Sequence, residues 1–198
     1  MTGSTSMTSI FALLTLLVSL LLSMPLVADE NDAGNDAGIT TKKPLYPGWF
    51  KDSFLDIADD VEDASSKNKR VILYFYEPDC GACKAFLRDK LARPLITQTI
   101  KKNFDVVPIN MWGDNIVVDM DGGVVSERDF SFSRQGRIIP TLVFLNEKGV
   151  NIARIFGSSS ISRFMAALHY STERLDSSIS FFDYIDKLKE EEDEAFSS

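Results

Sequence analysis

The spacing of apolar positions changes several times along this chain, and each change marks an element. Ile10 to Leu22 is apolar except at Thr15 and Ser19. Phe50, Phe54, Ile57, Ala58, Val61 and Ala64 recur at helical spacing with acids between them. They predict an amphipathic helix ending near Ser65-Ser66-Lys67-Asn68. Arg70-Val71-Ile72-Leu73-Tyr74-Phe75-Tyr76 is β-branched and aromatic on both faces, as a strand inside a covered sheet requires. Pro78 has no N–H for a ladder and ends it. Beyond it, apolar residues 83, 86, 87 and 91 share one helical face. Pro94 to Lys102 predicts a further helix with proline in its first turn. Phe104 to Met111 reads as a strand, and Pro108 puts it at an edge or a bulge.

Val117 to Met120 and Val124-Val125 flank Asp121-Gly122-Gly123, the signature of a small hairpin. Ser126 is placed to cap a helix running to about Arg134, without a Glu or Gln three residues on. Thr141–Leu145 and Asn151–Phe156 predict an antiparallel hairpin around Asn146-Glu147-Lys148-Gly149, ended by Gly157. Ile161, Phe164, Met165 and Leu168 mark a helix carrying His169, and a last helix covers Phe181 to Leu188. This order predicts an α/β fold, a mixed central sheet flanked by helices on both faces.

The two ends read differently. Residues 1–28 form an apolar run followed by Pro25-Leu26-Val27-Ala28, a signal peptide with cleavage near Ala28. Met1 to Ser9 holds no Lys or Arg, and the alternative is a retained anchor. The run is short for a span of about 20 residues. Either way the folded part is expected outside the cytoplasm, periplasmic or otherwise secreted. Residues 29–43 repeat Asn-Asp-Ala-Gly and form a flexible polar spacer. Residues 190–198 form an acidic tail. The formal charge of −8 falls mostly on these ends. The domain at 44–189 is nearly neutral and of ordinary size for one core. Nothing in that balance supports a nucleic-acid partner, and a monomer is expected.

Cys80-Gly81-Ala82-Cys83 contains the only two cysteines. Two thiols at this spacing interconvert between dithiol and disulfide. A zinc site needs about four Cys or His ligands, and the only histidine, His169, lies in a separate helix. Haem attachment needs His at 84, which is Lys. The pair follows a strand and opens a helix, where unpaired N–H groups and the helix dipole favour a thiolate. CxxC cysteines at helix starts have pKa values of roughly 3.5–7.5, against about 8.5 for a free thiol. Cys80 is expected exposed at the turn, attacking a partner disulfide. Cys83 is expected shielded one turn inside, resolving the mixed disulfide.

Three separated features resemble the thioredoxin superfamily: the strand followed by the cysteine pair, Ile139-Pro140-Thr141 before the hairpin, and Gly157 after its second strand. The resemblance implies a thioredoxin-like fold and no cofactor beyond the two thiols. It implies that Pro140 is cis and lies against the cysteines, leaving the Ile139 backbone to pair with an incoming peptide in strand fashion. Pro47-Gly48-Trp49-Phe50-Lys51, Asn110-Met111-Trp112-Gly113-Asp114 and Met120-Asp121-Gly122 are similar to the SoxW-like periplasmic thioredoxins of bacterial sulfur oxidation. This branch implies a reductant of disulfide-containing extracytoplasmic proteins, with a membrane thiol transporter as electron donor. The resemblance covers about residues 45–170.

Two positions depart from the family. Tyr74 stands where many thioredoxins carry a buried acid, and Asp79 stands where they carry Trp. Asp79 is expected to raise the Cys80 pKa against the helix dipole, with Lys84 offsetting it. Glu77 is either a substitute proton carrier or an exposed loop acid. Gly81-Ala82 lacks the His of strongly oxidising relatives, which favours a reducing pair. The alternatives are a disulfide oxidase or isomerase, a reductant for cytochrome maturation, and a non-catalytic dithiol carrier of Cu(I).

Overall fold

A computed structural model describes residues 45–134 and 138–197. The expected signal peptide at 1–28 and the expected spacer at 29–43 lie outside the described residues. Four strands form the main sheet in the order β2-β1-β5-β6. β1 (Arg70–Tyr76) pairs parallel with β2 (Phe104–Asn110), from Arg70 opposite Phe104 to Tyr76 opposite Asn110. It pairs antiparallel with β5 (Thr141–Leu145), which pairs antiparallel with β6 (Asn151–Phe156). β1 is therefore internal, and its uninterrupted apolar run is the composition that position needs. β2 is an edge, where Pro108 costs no ladder bond.

Alternate side chains of β1 feed two cores. Ile72 and Tyr74 face a cluster with Phe86, Ile100, Phe144 and Phe164. Val71, Leu73 and Phe75 face a second cluster with Ile57, Val61, Val107 and Phe130. The first is covered by α2 (Gly81–Phe86), α3 (Pro94–Asn103), α5 (Ile161–Thr172) and α6 (Phe181–Ser197). The second is covered by α1 (Ile57–Ser66), α4 (Glu127–Arg134) and the hairpin of β3 (Ile116–Val118) and β4 (Val124–Ser126). The mixed sheet with helices on both faces is as expected.

Two helix boundaries differ from the periodic reading. The first helix begins at Ile57, not near Phe50. Asp56 is its N-cap, accepting from the Asp59 N–H at 3.1 Å, and Leu55 before it has φ 63°. A left-handed residue cannot continue a helix backwards. Phe50 is still buried, but Phe54 is fully exposed. At the other end α6 runs on past Leu188 to Ser197. Its apolar period stops there, but the acid run contains no Gly or Pro, and four of its five residues are Glu, a good helix former. The Ser126 cap is as expected: its hydroxyl accepts from the Asp129 N–H at 3.1 Å and donates to the Asp129 carboxylate at 2.9 Å. Among the described residues, no helix is long and apolar enough to cross a membrane.

Candidate active site

β1 ends at Tyr76, and Glu77-Pro78-Asp79 carries the chain to the first turn of α2. Cys80 is the N-cap of that helix, with extended backbone (φ −70°, ψ 107°). Its sulfur accepts the Cys83 N–H at 2.9 Å, the contact that a capping Ser or Asp oxygen makes elsewhere. The sulfurs of Cys80 and Cys83 are joined in a disulfide, with Cα atoms 5.2 Å apart. Cys83 is 0% exposed, as its place one turn inside the helix predicts. Cys80 is 6% exposed, not open as expected. The capping geometry turns its sulfur back over the helix end, so only a narrow part meets solvent.

The Ile139–Pro140 bond is cis. Pro140 is buried, Ile139 half-buried and Ile138 exposed. The Pro140 carbonyl accepts the Gly157 N–H at 2.8 Å. A Cβ on Gly157 would sit 2.6 Å from Cγ and Cδ of the proline ring, so only glycine lets the end of β6 lie against Pro140. Gly157, noted in the sequence as a strand terminator, is thus a contact of the proline. Ile138, Ile139 and Pro140 face Ala82, Ala85 and Phe86 of α2 across a mainly apolar groove of about 380 Å³. The structure therefore brings the sequence-predicted residues Ile139 and Pro140 to one groove with the cysteine helix.

The charged neighbours divide. Glu77 is fixed: its carboxylate accepts the Trp112 indole N–H at 2.6 Å, and Trp112 packs edge-on against Phe132. Asp79 and Lys84 are exposed. Tyr74 is 1% exposed, stacks on Tyr76 and Phe86, and meets Phe50 edge-on. Its hydroxyl has no hydrogen-bond partner among the described residues. Burial, with Tyr76 beside it, pushes its phenol well above the usual range.

Sequence reasoning missed a second polar site beside the same strand end. A cleft of about 420 Å³ is lined by Tyr46, Tyr76, Asn110, Trp112 and Glu127 among others. Glu127 is buried; its carboxylate accepts the Asn110 N–H and the Asn115 side-chain N–H, each at 2.9 Å. Burial raises its pKa against those donors. Gly113 makes room for it, since a Cβ there would fall 2.0 Å from Glu127 Oε2. Spacing could not reveal a carboxylate 17 residues from its backbone donor. His169 is exposed, stacked on Tyr184, with Nδ1 3.1 Å from the Tyr184 hydroxyl. Among the described residues, no group of three or more His, Cys, Asp or Glu is placed to hold a metal ion.

Residues 57–172 match the family described as a thioredoxin-like domain. The chain belongs to that family. A comparison with curated proteins finds no match. Among solved structures, a thioredoxin-fold protein from Helicobacter pylori is similar at 21% identity, covering 67% of this chain and 92% of that one, with a TM-score of 0.51. A thioredoxin from Thermus thermophilus is 22% identical over 56% of this chain and 79% of that one, with a TM-score of 0.42. A disulphide isomerase from Xylella fastidiosa is 19% identical over 70% and 92%, with a TM-score of 0.40. With the family shown and both cysteines paired at the end of the central strand, the chain is a thioredoxin-like thiol–disulfide oxidoreductase.

Proposed function

We propose that this oxidoreductase works outside the cytoplasm and reduces disulfides of partner proteins. The observation that carries the reading is the asymmetry of the pair. Cys80 caps the helix and keeps a narrow exposed part, 6%, while Cys83 is wholly covered. In the reduced protein, the Cys83 N–H and the helix end stabilise a Cys80 thiolate. That thiolate attacks one sulfur of a partner disulfide. A Cys80–partner disulfide forms and a partner thiolate leaves, taking up a proton. The Cys83 thiolate then attacks Cys80 Sγ, releasing the second partner thiolate, which is also protonated. The partner gains two electrons and two protons, and the protein ends as the Cys80–Cys83 disulfide. Pro140 and the backbone of Ile139 dock the peptide in extended form along the groove.

Export is supported by the leader and spacer at 1–43. A disulfide product must be reduced again there, which a membrane thiol transporter would do. The link to sulfur oxidation rests on Asn110 to Asp114 and the two companion motifs. The role assignment is tested by trapping. Cys83→Ser should accumulate a mixed disulfide through Cys80, and Cys80→Ser should not. Equal trapping by both, or by neither, sinks it. Direction is tested by the potential: about −270 mV is expected for a reductant, whereas about −120 mV would mark an oxidant. Export is tested by fractionation, where a full-length product retained in the cytoplasm would refute it.

A further inference from the structure

Lys90 lies in the π turn Leu87–Leu91 that continues α2, a widened turn of the kind found often at functional sites. Its side chain crosses to the turn after β6. The ammonium donates to the Gly157 carbonyl at 2.6 Å and to the Ser159 carbonyl. Both bonds are charge-assisted and partly buried. Gly157 donates in turn to the Pro140 carbonyl at 2.8 Å and packs directly on its ring. A chain of contacts therefore runs from the helix that begins at Cys80, through Lys90 and Gly157, to the cis-proline. It closes the end of the groove between Ala82 and Phe86 on one wall and Ile139 and Pro140 on the other.

We propose that Lys90 is a positioning residue for exchange with protein disulfides. It sets the distance between the cysteine helix and the Pro140 ledge, and so the fit of a peptide laid between them. The walls are mainly apolar, and the ammonium is engaged by two carbonyls. The substrate that fits is an extended peptide with apolar side chains beside its cysteine. A small disulfide reaches Cys80 without using the ledge and is indifferent to Lys90. This inference rests on the thiol-exchange reading above.

Lys90→Met keeps the aliphatic stem and removes the ammonium; Lys90→Arg keeps the charge and donors. Both are compared with wild type on insulin, with dithiothreitol as electron source, and in a single turnover of the pre-reduced protein, freed of dithiothreitol, with dithiodipyridine. Lys90→Met should raise KM for insulin about tenfold, a loss of docking shared equally by the ground state and the transition state. Its kcat, and its rate with dithiodipyridine, should stay within about twofold of wild type. Lys90→Arg should recover most of the loss. An unchanged insulin KM in Lys90→Met overturns the proposal. A parallel fall on both substrates also overturns it, since that is general damage. Wild type inactive on both substrates would bring down the thiol-exchange reading itself.

Discussion

At the start of β1, Arg70 is 5% exposed and all three of its guanidinium nitrogens donate. Nε and Nη2 donate to the two Glu147 oxygens at 2.9 and 2.8 Å, and Nη1 donates to Asp176 and to the Ser171 carbonyl, each at 2.7 Å. At the other end of the same strand lie a Tyr74 hydroxyl with no hydrogen-bond partner among the described residues, a sulfur used as a helix cap, and a proline held by contact with a glycine. One end is closed by charge and joins β1 to the β5–β6 turn and the end of α5. The other is closed around the sulfurs by ring stacking and shape, and its carboxylates, Glu77 and Glu127, are each held by neutral N–H donors. A redox pair needs its sulfurs held without saturating them, and shape does this where ion pairs would not. Stability and chemistry are thus separable along one strand.

Arg70→Met should break the first end most severely. It leaves Asp176 and Glu147 with a lost partner in a partly buried place and should cost about 3–5 kcal/mol. Denaturant unfolding of the oxidised protein reads this, and the exchange rate of the folded fraction should not change. A slowed exchange would show that the two ends are coupled. Gly157→Ala strikes the second end. The added methyl meets Pro140 at 2.6 Å and should cost about 1–3 kcal/mol, with a loss of insulin reduction beyond that stability loss. Gly48→Ala, with nothing within 4 Å of its Cβ, is the control and should be neutral in both assays.

The two ends were unequally legible. β1 could be bounded to the residue, because a continuous β-branched and aromatic run is closed by Pro78. The cysteine turn followed from that strand. The cis bond at Pro140 came only through family resemblance, since an ordinary proline before a strand reads the same. The Arg70 network was invisible: its partners lie 77 and 106 residues away, and no local period encodes such pairs. Lys90 was hidden for the same reason, with carbonyl partners 67 and 69 residues on. Phe50 to Ala64 misled because side-chain spacing is blind to one left-handed residue, Leu55.

Tyr74→Phe sharpens the comparison from the active-site side, with a smaller effect. It removes a buried hydroxyl that has no partner among the described residues and keeps the aromatic stack. The variant should gain about 1 kcal/mol. Because burial holds the phenol protonated, it takes no proton from Cys83 at neutral pH. The pH profile of exchange should therefore match wild type. A shifted profile would mean that the hydroxyl serves the cysteines after all.

The smallest effect is a pH dependence confined to the Arg70 end. Arg70, with help from Arg174, lowers the Glu147 pKa from 4.5 to about 2. A carboxylate with a depressed folded pKa adds stability above its unfolded value, and the loss runs from near 4.5 down to about 2 as pH falls. Glu147 is about a third exposed, so solvent screens much of this contribution. Glu127 and Asp60 act in the opposite sense: burial raises both, so their contributions favour low pH. The wild-type curve alone mixes these signs, and Glu147→Gln isolates one of them. At pH 7 the variant should unfold at lower denaturant than wild type. The gap should close as pH falls through the window below 4.5, because wild-type Glu147 is then neutral as well. A gap that is constant with pH would mean that Glu147 acts by packing and neutral hydrogen bonding, and that this end of β1 is not held by charge.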